Sequence, residues 1–307
     1  MAIISIVFPL IFMAVLGYIL TIRSVFSKEQ ISGISLFTFY LSIPAFLFIN
    51  MYQADLTKSF DIKALASFYL PVLVAYSIGF LLFYYVRRGQ TQPMANSAAY
   101  GLGCSYSNTI LVGLPIIVGA IGQEMMGNVF IIITFHSALL FSLTFTLGLS
   151  GSKANFKAGP FVKSIVFNPI VMSISLGLIL NLLQIPLADN LVNGIHLLSQ
   201  PALACALFVL GANLCFYKVA KDWKLALMAS LIKLILLPTF VYVLGLMFNL
   251  EADMLAVLVL LSASPLGINA YLVAMQVQAQ QTVIASTVVI STVLCVFTMS
   301  FWLSVLL

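Results

Sequence analysis

The chain has 307 residues, 63% of them hydrophobic and 7% charged, with a formal net charge of +5. A soluble domain carries roughly 25% charged residues, so this composition cannot furnish a polar shell and excludes a water-soluble globule. It specifies an all-α, polytopic membrane protein, because each helical span takes about 20 apolar residues. No nucleic-acid signal accompanies the positive charge: the basic residues are scattered through short loops, as the positive-inside rule requires of topology.

Polar breaks divide the sequence into ten expected spans: 2–22, 29–51, 62–86, 93–121, 124–150, 161–184, 191–216, 223–248, 252–276 and 280–306. The first lacks the basic start and small-residue cleavage site of a secretory signal and reads as a retained helix. Ten of the thirteen Lys and Arg residues fall in the loops after spans one, three, five and seven or within three residues of their ends. Those loops are therefore assigned to the cytoplasm and both termini to the outer side. Cys104, Cys205, Cys215 and Cys295 lie within apolar spans without C-x-x-C spacing, so neither a metal nor a disulfide is expected, nor any cofactor.

Five spans per half make any internal duplication an inverted repeat, here 1–150 and 160–307 with a Gly/Pro linker between. L-S-I-P-A at 41–45 echoes L-S-Q-P-A at 198–202, with the prolines 157 residues apart. The same spacing carries Asn108 onto Pro265 and lays S-Y-S-N over S-A-S-P. Two matches at one spacing, in the expected order, favour duplication.

The segment 105–115, S-Y-S-N-T-I-L-V-G-L-P, and its counterpart 262–269, S-A-S-P-L-G-I-N, place helix breakers midway through spans four and nine. Proline removes a donor and clashes with the preceding turn, glycine admits another backbone, and freed N–H groups at the following half-helix suit an anion. In lipid such backbone has to face protein or a watery cavity. Paired interruptions in corresponding halves point to a transporter's binding site near the bilayer midplane.

N-T-I-L-V-G-L-P at 108–115, followed by Gly122, resembles the fourth-span motif of the auxin efflux carrier family, which includes plant auxin carriers and bacterial dicarboxylate permeases. P-L-G-I-N-A-Y-L-V-A at 265–274 is similar to that family's ninth-span motif, and K-L-I-L-L-P at 233–238 to its eighth. The resemblance implies two inverted five-helix repeats with broken, crossing spans four and nine. It further implies a scaffold of spans one, two, six and seven, a moving transport part of spans three to five and eight to ten, organic-anion transport and a homodimer. Ser107, where plant carriers have proline, and the short 150–160 linker favour a permease of a bacterial inner membrane over an indole-acid carrier.

Anion contacts are expected from Ser105, Asn108, Thr109, Gly113 and Pro115 in the first break, from Pro265, Gly267 and Asn269 in the second, and from Lys233. Lys233 is a lone deep charge whose burial costs about 2.5–3.5 kcal/mol on insertion scales; it either meets the anion or holds unwound carbonyls. No carboxylate is equally deep, so coupling to Na+ or H+ stays open, with His136 as a proton group and Ser262 among hydroxyl, amide and carbonyl ligands for sodium. A membrane-embedded enzyme would need grouped nucleophile, base or metal ligands at depth, and His136 has no such neighbour in sequence.

Overall fold

The computed structural model describes residues 2–54, 62–87, 89, 91–122, 126–149, 167–216 and 222–307. The expected linker 150–160, the start of the sixth span and the loop residues Lys58, Arg88, Glu124, Lys218 and Lys221 lie outside the described residues. Those described are helical apart from turns and one isolated backbone bridge. Six helices among them are long and apolar enough to cross a membrane: Lys28–Gln53, Ile62–Val86, Val129–Gly148, Asp189–Leu214, Trp223–Met247 and Gln281–Leu306. Shorter apolar helices cover Phe8–Ile22, Thr109–Ala120, Pro169–Leu182 and Ala252–Ala263.

The chain divides into two compact units. The first comprises Met1–Phe60, Leu114–Thr134 and Lys157–Phe216. It contains α1 (Ala2–Ile22), α2 (Lys28–Phe37), α3 (Ile43–Gln53), α6 (Leu114–Ala120), the start of α7 (Met126–Leu149), α8 (Pro169–Leu182), α9 (Asp189–Ser199) and α10 (Ala202–Leu214). Glycine brings its helices together: a Cβ on Gly211 would overlap the Ala14 carbonyl, one on Gly17 the Phe208 carbonyl, and one on Gly177 would lie 2.6 Å from the Phe48 oxygen. Small residues at such crossings substitute for the hydrophobic drive that lipid does not supply. Asn181 Nδ2 donates to the carbonyls of Met51, Tyr52 and Ala54 at 2.7–3.0 Å, taking up acceptors left over where α3 ends.

The second unit comprises Asp61–Gly113, Phe135–Phe156 and Tyr217–Leu307. It contains α4 (Ile62–Val86), α5 (Pro93–Ser105), the rest of α7, α11 (Trp223–Leu231), α12 (Leu237–Met247), α13 (Ala252–Ala263), α14 (Asn269–Gln276) and α15 (Gln281–Leu306). Phe83, Tyr100, Cys104, Ala226, Ala229 and Val283 form a buried cluster that ties α4, α5, α11 and α15. A Cβ on Gly79 would lie 2.6 Å from Cys104 Sγ, so α4 and α5 approach as closely as their backbones permit. Arg87 and Asp222 form an exposed ion pair at 3.1 Å, worth about 1 kcal/mol or less.

Among the described residues, three five-residue π-helical turns interrupt these helices, at Thr38–Ser42, Thr109–Gly113 and Ile232–Leu236. Each ends two residues before a proline, Pro44, Pro115 and Pro238. Proline cannot donate and its ring presses on the carbonyl of the preceding turn. Widening that turn by one residue lets Ile43, Gly113 and Leu237 donate five residues back, to Thr38, Asn108 and Ile232, and bulges of this type cluster at functional sites.

Candidate anion site at the paired helix breaks

In the second unit α5 stops at Ser105 and helix resumes at Thr109, while α13 stops at Ala263 and helix resumes at Asn269. The intervening extended residues pair with each other: Ser107 and Leu266 form an antiparallel bridge, and Asn108 N–H donates to the Pro265 carbonyl at 2.8 Å. Residues aligned by the 157-residue spacing thus touch. The two L-S-x-P-A segments also meet, inside the first unit, one residue out of that register: Ser42 Oγ donates to the Leu198 carbonyl at 2.8 Å, 156 residues on.

Glycine permits the close approach. A Cβ on Gly267 would fall 2.6 Å from Tyr106 Cε1, and one on Gly113 would fall 2.8 Å from Ser264 Oγ. The Tyr106 ring stacks on His136 with centroids 5.1 Å apart. Its hydroxyl meets Ser137 Oγ at 3.0 Å and receives Asn269 Nδ2 at 3.5 Å.

Asn108 begins the helix that follows the first break. Its Oδ1 accepts from Leu111 N–H at 3.2 Å and its carbonyl from Val112 and Gly113, an N-cap arrangement that satisfies one orphan donor of the first turn. Its Nδ2 has no partner although the residue is only 7% exposed. A buried amide donor without an acceptor costs free energy, and here it stands at the positive end of a helix. Ser107 Oγ beside it is likewise buried and unpartnered.

The same break explains the deep lysine. Within a continuous helix the Ser262 carbonyl would accept from the N–H of Leu266, but that N–H donates to Ser291 Oγ at 3.0 Å. Lys233, fully buried within its π turn, supplies the missing donor: its Nζ lies 2.5 Å from the Ser262 oxygen. Among the described residues no carboxylate pairs with it.

The remaining expected residues divide. Ser105 and Ser262 hydroxyls bond back to their own helices, on Gly101 and Val259 carbonyls at 2.9 and 2.8 Å. Thr109 is buried beside Asn108, Pro265 contributes its carbonyl, and Asn269 is exposed. His136 faces the break, its Nε2 accepting Ser107 N–H at 2.9 Å. Pro115 belongs to the first unit. No group of three or more His, Cys, Asp or Glu able to hold a metal occurs among the described residues. Sequence reading missed Ser291 and Asn181; for Ser291 the available signal was its place 155 residues after His136, close to the repeat spacing.

Helix interruptions paired in this way are a feature of helical membrane transporters. The family model described as membrane transport protein, the auxin efflux carrier family, matches residues 2–303, and the chain belongs to that family. It is 25% identical over 306 residues to a protein of Rhizobium meliloti named "Putative malonate transporter", covering 96% of this chain and 93% of that one. It is also 23% identical over 308 residues to an "Uncharacterized transporter" of Methanothermobacter thermautotrophicus, covering 98% and 97%.

Proposed function

We propose that the chain is a secondary transporter that moves a small organic anion, such as a mono- or dicarboxylate, across the membrane by alternating access. Asn108 carries this reading: a buried Nδ2 donor without a partner stands where a helix begins and its free N–H groups collect positive potential. A carboxylate is the group that fits, since it only accepts and takes several donors at once. The malonate named for the Rhizobium meliloti relative makes a short dicarboxylate the first compound to try. Lys233 adds a positive charge to the region while holding the Ser262 carbonyl.

In this proposal spans three to five and eight to ten carry the anion in an elevator-like motion, and spans one, two, six and seven serve as scaffold. The ten spans form two inverted five-helix repeats with crossing spans four and nine. The meeting of Asn108 with Pro265 supports that arrangement, because residues related by a two-fold axis touch where they lie on it, and the L-S-x-P-A segments meet one residue out of register. Residence in a bacterial inner membrane, outward termini and a homodimer complete the proposal.

Proteoliposome counterflow tests it. Vesicles loaded with unlabelled malonate are expected to accumulate labelled malonate saturably, with monocarboxylates and indole acids compared in parallel and sodium and proton gradients imposed separately. Absence of counterflow for every anion, or flux that never saturates, rejects the carrier. Hydrolysis or group transfer by the pure protein without solute movement would make it an enzyme.

A further inference from the structure

The bond from Asn108 N–H to the Pro265 carbonyl flanks the Ser107–Leu266 bridge, which makes these two residues a pair that exchange no hydrogen bonds with each other. In such a pair each residue's own N–H points outward, away from the partner strand. A two-stranded ribbon therefore has two outer edges, and in a membrane interior both need acceptors.

Each edge is met by one side chain. On one side Ser107 N–H reaches Nε2 of His136 on α7 at 2.9 Å. On the other, Leu266 N–H reaches Oγ of Ser291 on α15 at 3.0 Å. Ser291 donates its own proton to the Val288 carbonyl, which leaves its lone pairs for Leu266. His136 is 1% exposed, stacked on Tyr106 and set edge-on to Phe68 at 5.5 Å, so its ring is fixed with Nε2 toward the strand. An imidazole accepting at Nε2 carries its proton on Nδ1.

We propose that His136 and Ser291 are a matched pair of positioning residues, one at each outer edge of the two-stranded ribbon, which together hold the Asn108 amide in place for the anion. This rests on the transport reading for its consequence and on geometry alone for the clamp. His136 acts as a fixed neutral acceptor, and Ser291, an unremarkable hydroxyl on an apolar helix, takes the corresponding role in the other half of the chain.

The test uses the full-length protein in proteoliposomes with malonate as the probe. His136→Leu and Ser291→Ala each free one edge and are expected to raise KM about tenfold, the scale of one unsatisfied buried donor, with a smaller change in maximal rate. His136→Gln, which retains an acceptor, and Ser291→Thr, which retains the hydroxyl, are expected to recover most of that loss. Because both residues hold one ribbon, the double variant His136→Leu with Ser291→Ala is expected to lose less than the product of the two single effects. Failure of His136→Gln to recover affinity, independent multiplicative losses, or reduced thermal stability with unchanged KM overturns the proposal. Nitrogen-15 NMR of labelled histidine at neutral pH reads the clamp without transport: Nδ1 protonated and Nε2 bare supports it, and the opposite tautomer or a doubly protonated ring refutes it. If no anion is carried at all, the proposed function falls and the tautomer still decides the clamp.

Discussion

Asn108 has two separable jobs, and replacing it separates them. Its Oδ1 caps Leu111 N–H at 3.2 Å, and its Nδ2 is the unpartnered donor. Asn108→Ala removes both. Loss of the cap costs about 1 kcal/mol, a decline of a few degrees at most in thermal midpoint for a chain of this size. Loss of a hydrogen bond to a charged ligand costs about 1.5–3 kcal/mol, which corresponds to roughly ten- to 150-fold in affinity. Asn108→Asp keeps a capping oxygen in the same place, but the cost of about 2.5–3.5 kcal/mol for a charge at depth exceeds the gain of about 1 kcal/mol or less at the helix start, so stability is not expected to recover relative to Asn108→Ala. Affinity is expected to fall further, because a carboxylate replaces the donor and repels the anion. The assay is malonate counterflow for KM, with thermal unfolding of the same detergent-purified samples. A variant Asn108→Asp that binds malonate as tightly as the parent would refute the assignment, as would an Asn108→Ala whose only deficit is stability.

Other positions yield independent outcomes. Lys233→Met leaves the Ser262 carbonyl without its donor, at about 1–3 kcal/mol, but also removes the roughly 2.5–3.5 kcal/mol cost of a charge at depth. The variant is therefore expected to accumulate normally in the membrane, measured by quantitative blotting, while malonate uptake falls at least about tenfold, the equivalent of 1.4 kcal/mol; normal uptake would exclude this charge from transport. Gly267→Ala drives a methyl against Tyr106, whose ring is held by His136 and Phe141. Uptake is expected to drop sharply, whereas Gly33→Ala, with open space around it, serves as a control expected to retain parental rates. Gly211→Ala forces α1 away from α10 at the Ala14 carbonyl and is expected to lower stability by about 1–3 kcal/mol, read as a reduced thermal midpoint.

Much of this was legible because breakers are local. Proline, glycine and short polar residues at 105–115 and 262–269 identified where both helices stop, to within a residue or two of the observed ends at Ser105 and Ala263. The shared spacing picked out Asn108 and Pro265, which meet in space, and two L-S-x-P-A segments that meet one residue out of register. Less was legible wherever function depends on which neighbour a side chain faces. Lys233 was visible as an uncompensated charge, but its acceptor is a carbonyl released by a break 29 residues away, which composition cannot announce. Ser291 and Asn181 looked like ordinary polar residues on apolar helices, since serine can satisfy itself on its own helix backbone and asparagine shows its acceptors only after packing. The π turns were hidden for a related reason: proline forecasts a distortion, and whether the helix kinks, breaks or widens depends on the packing around it.

The most direct measurement is solid-state NMR on full-length protein in lipid, with carboxyl-13C malonate and 15N in asparagine side-chain amides, comparing the parent with Asn108→Ala. Magnetisation transfer from the bound carboxylate to an amide nitrogen that disappears in the variant is the expected result. Malonate that binds saturably in both proteins with identical transfer, or with none, would mean that the solute sits elsewhere and that the paired breaks serve only to shape the fold.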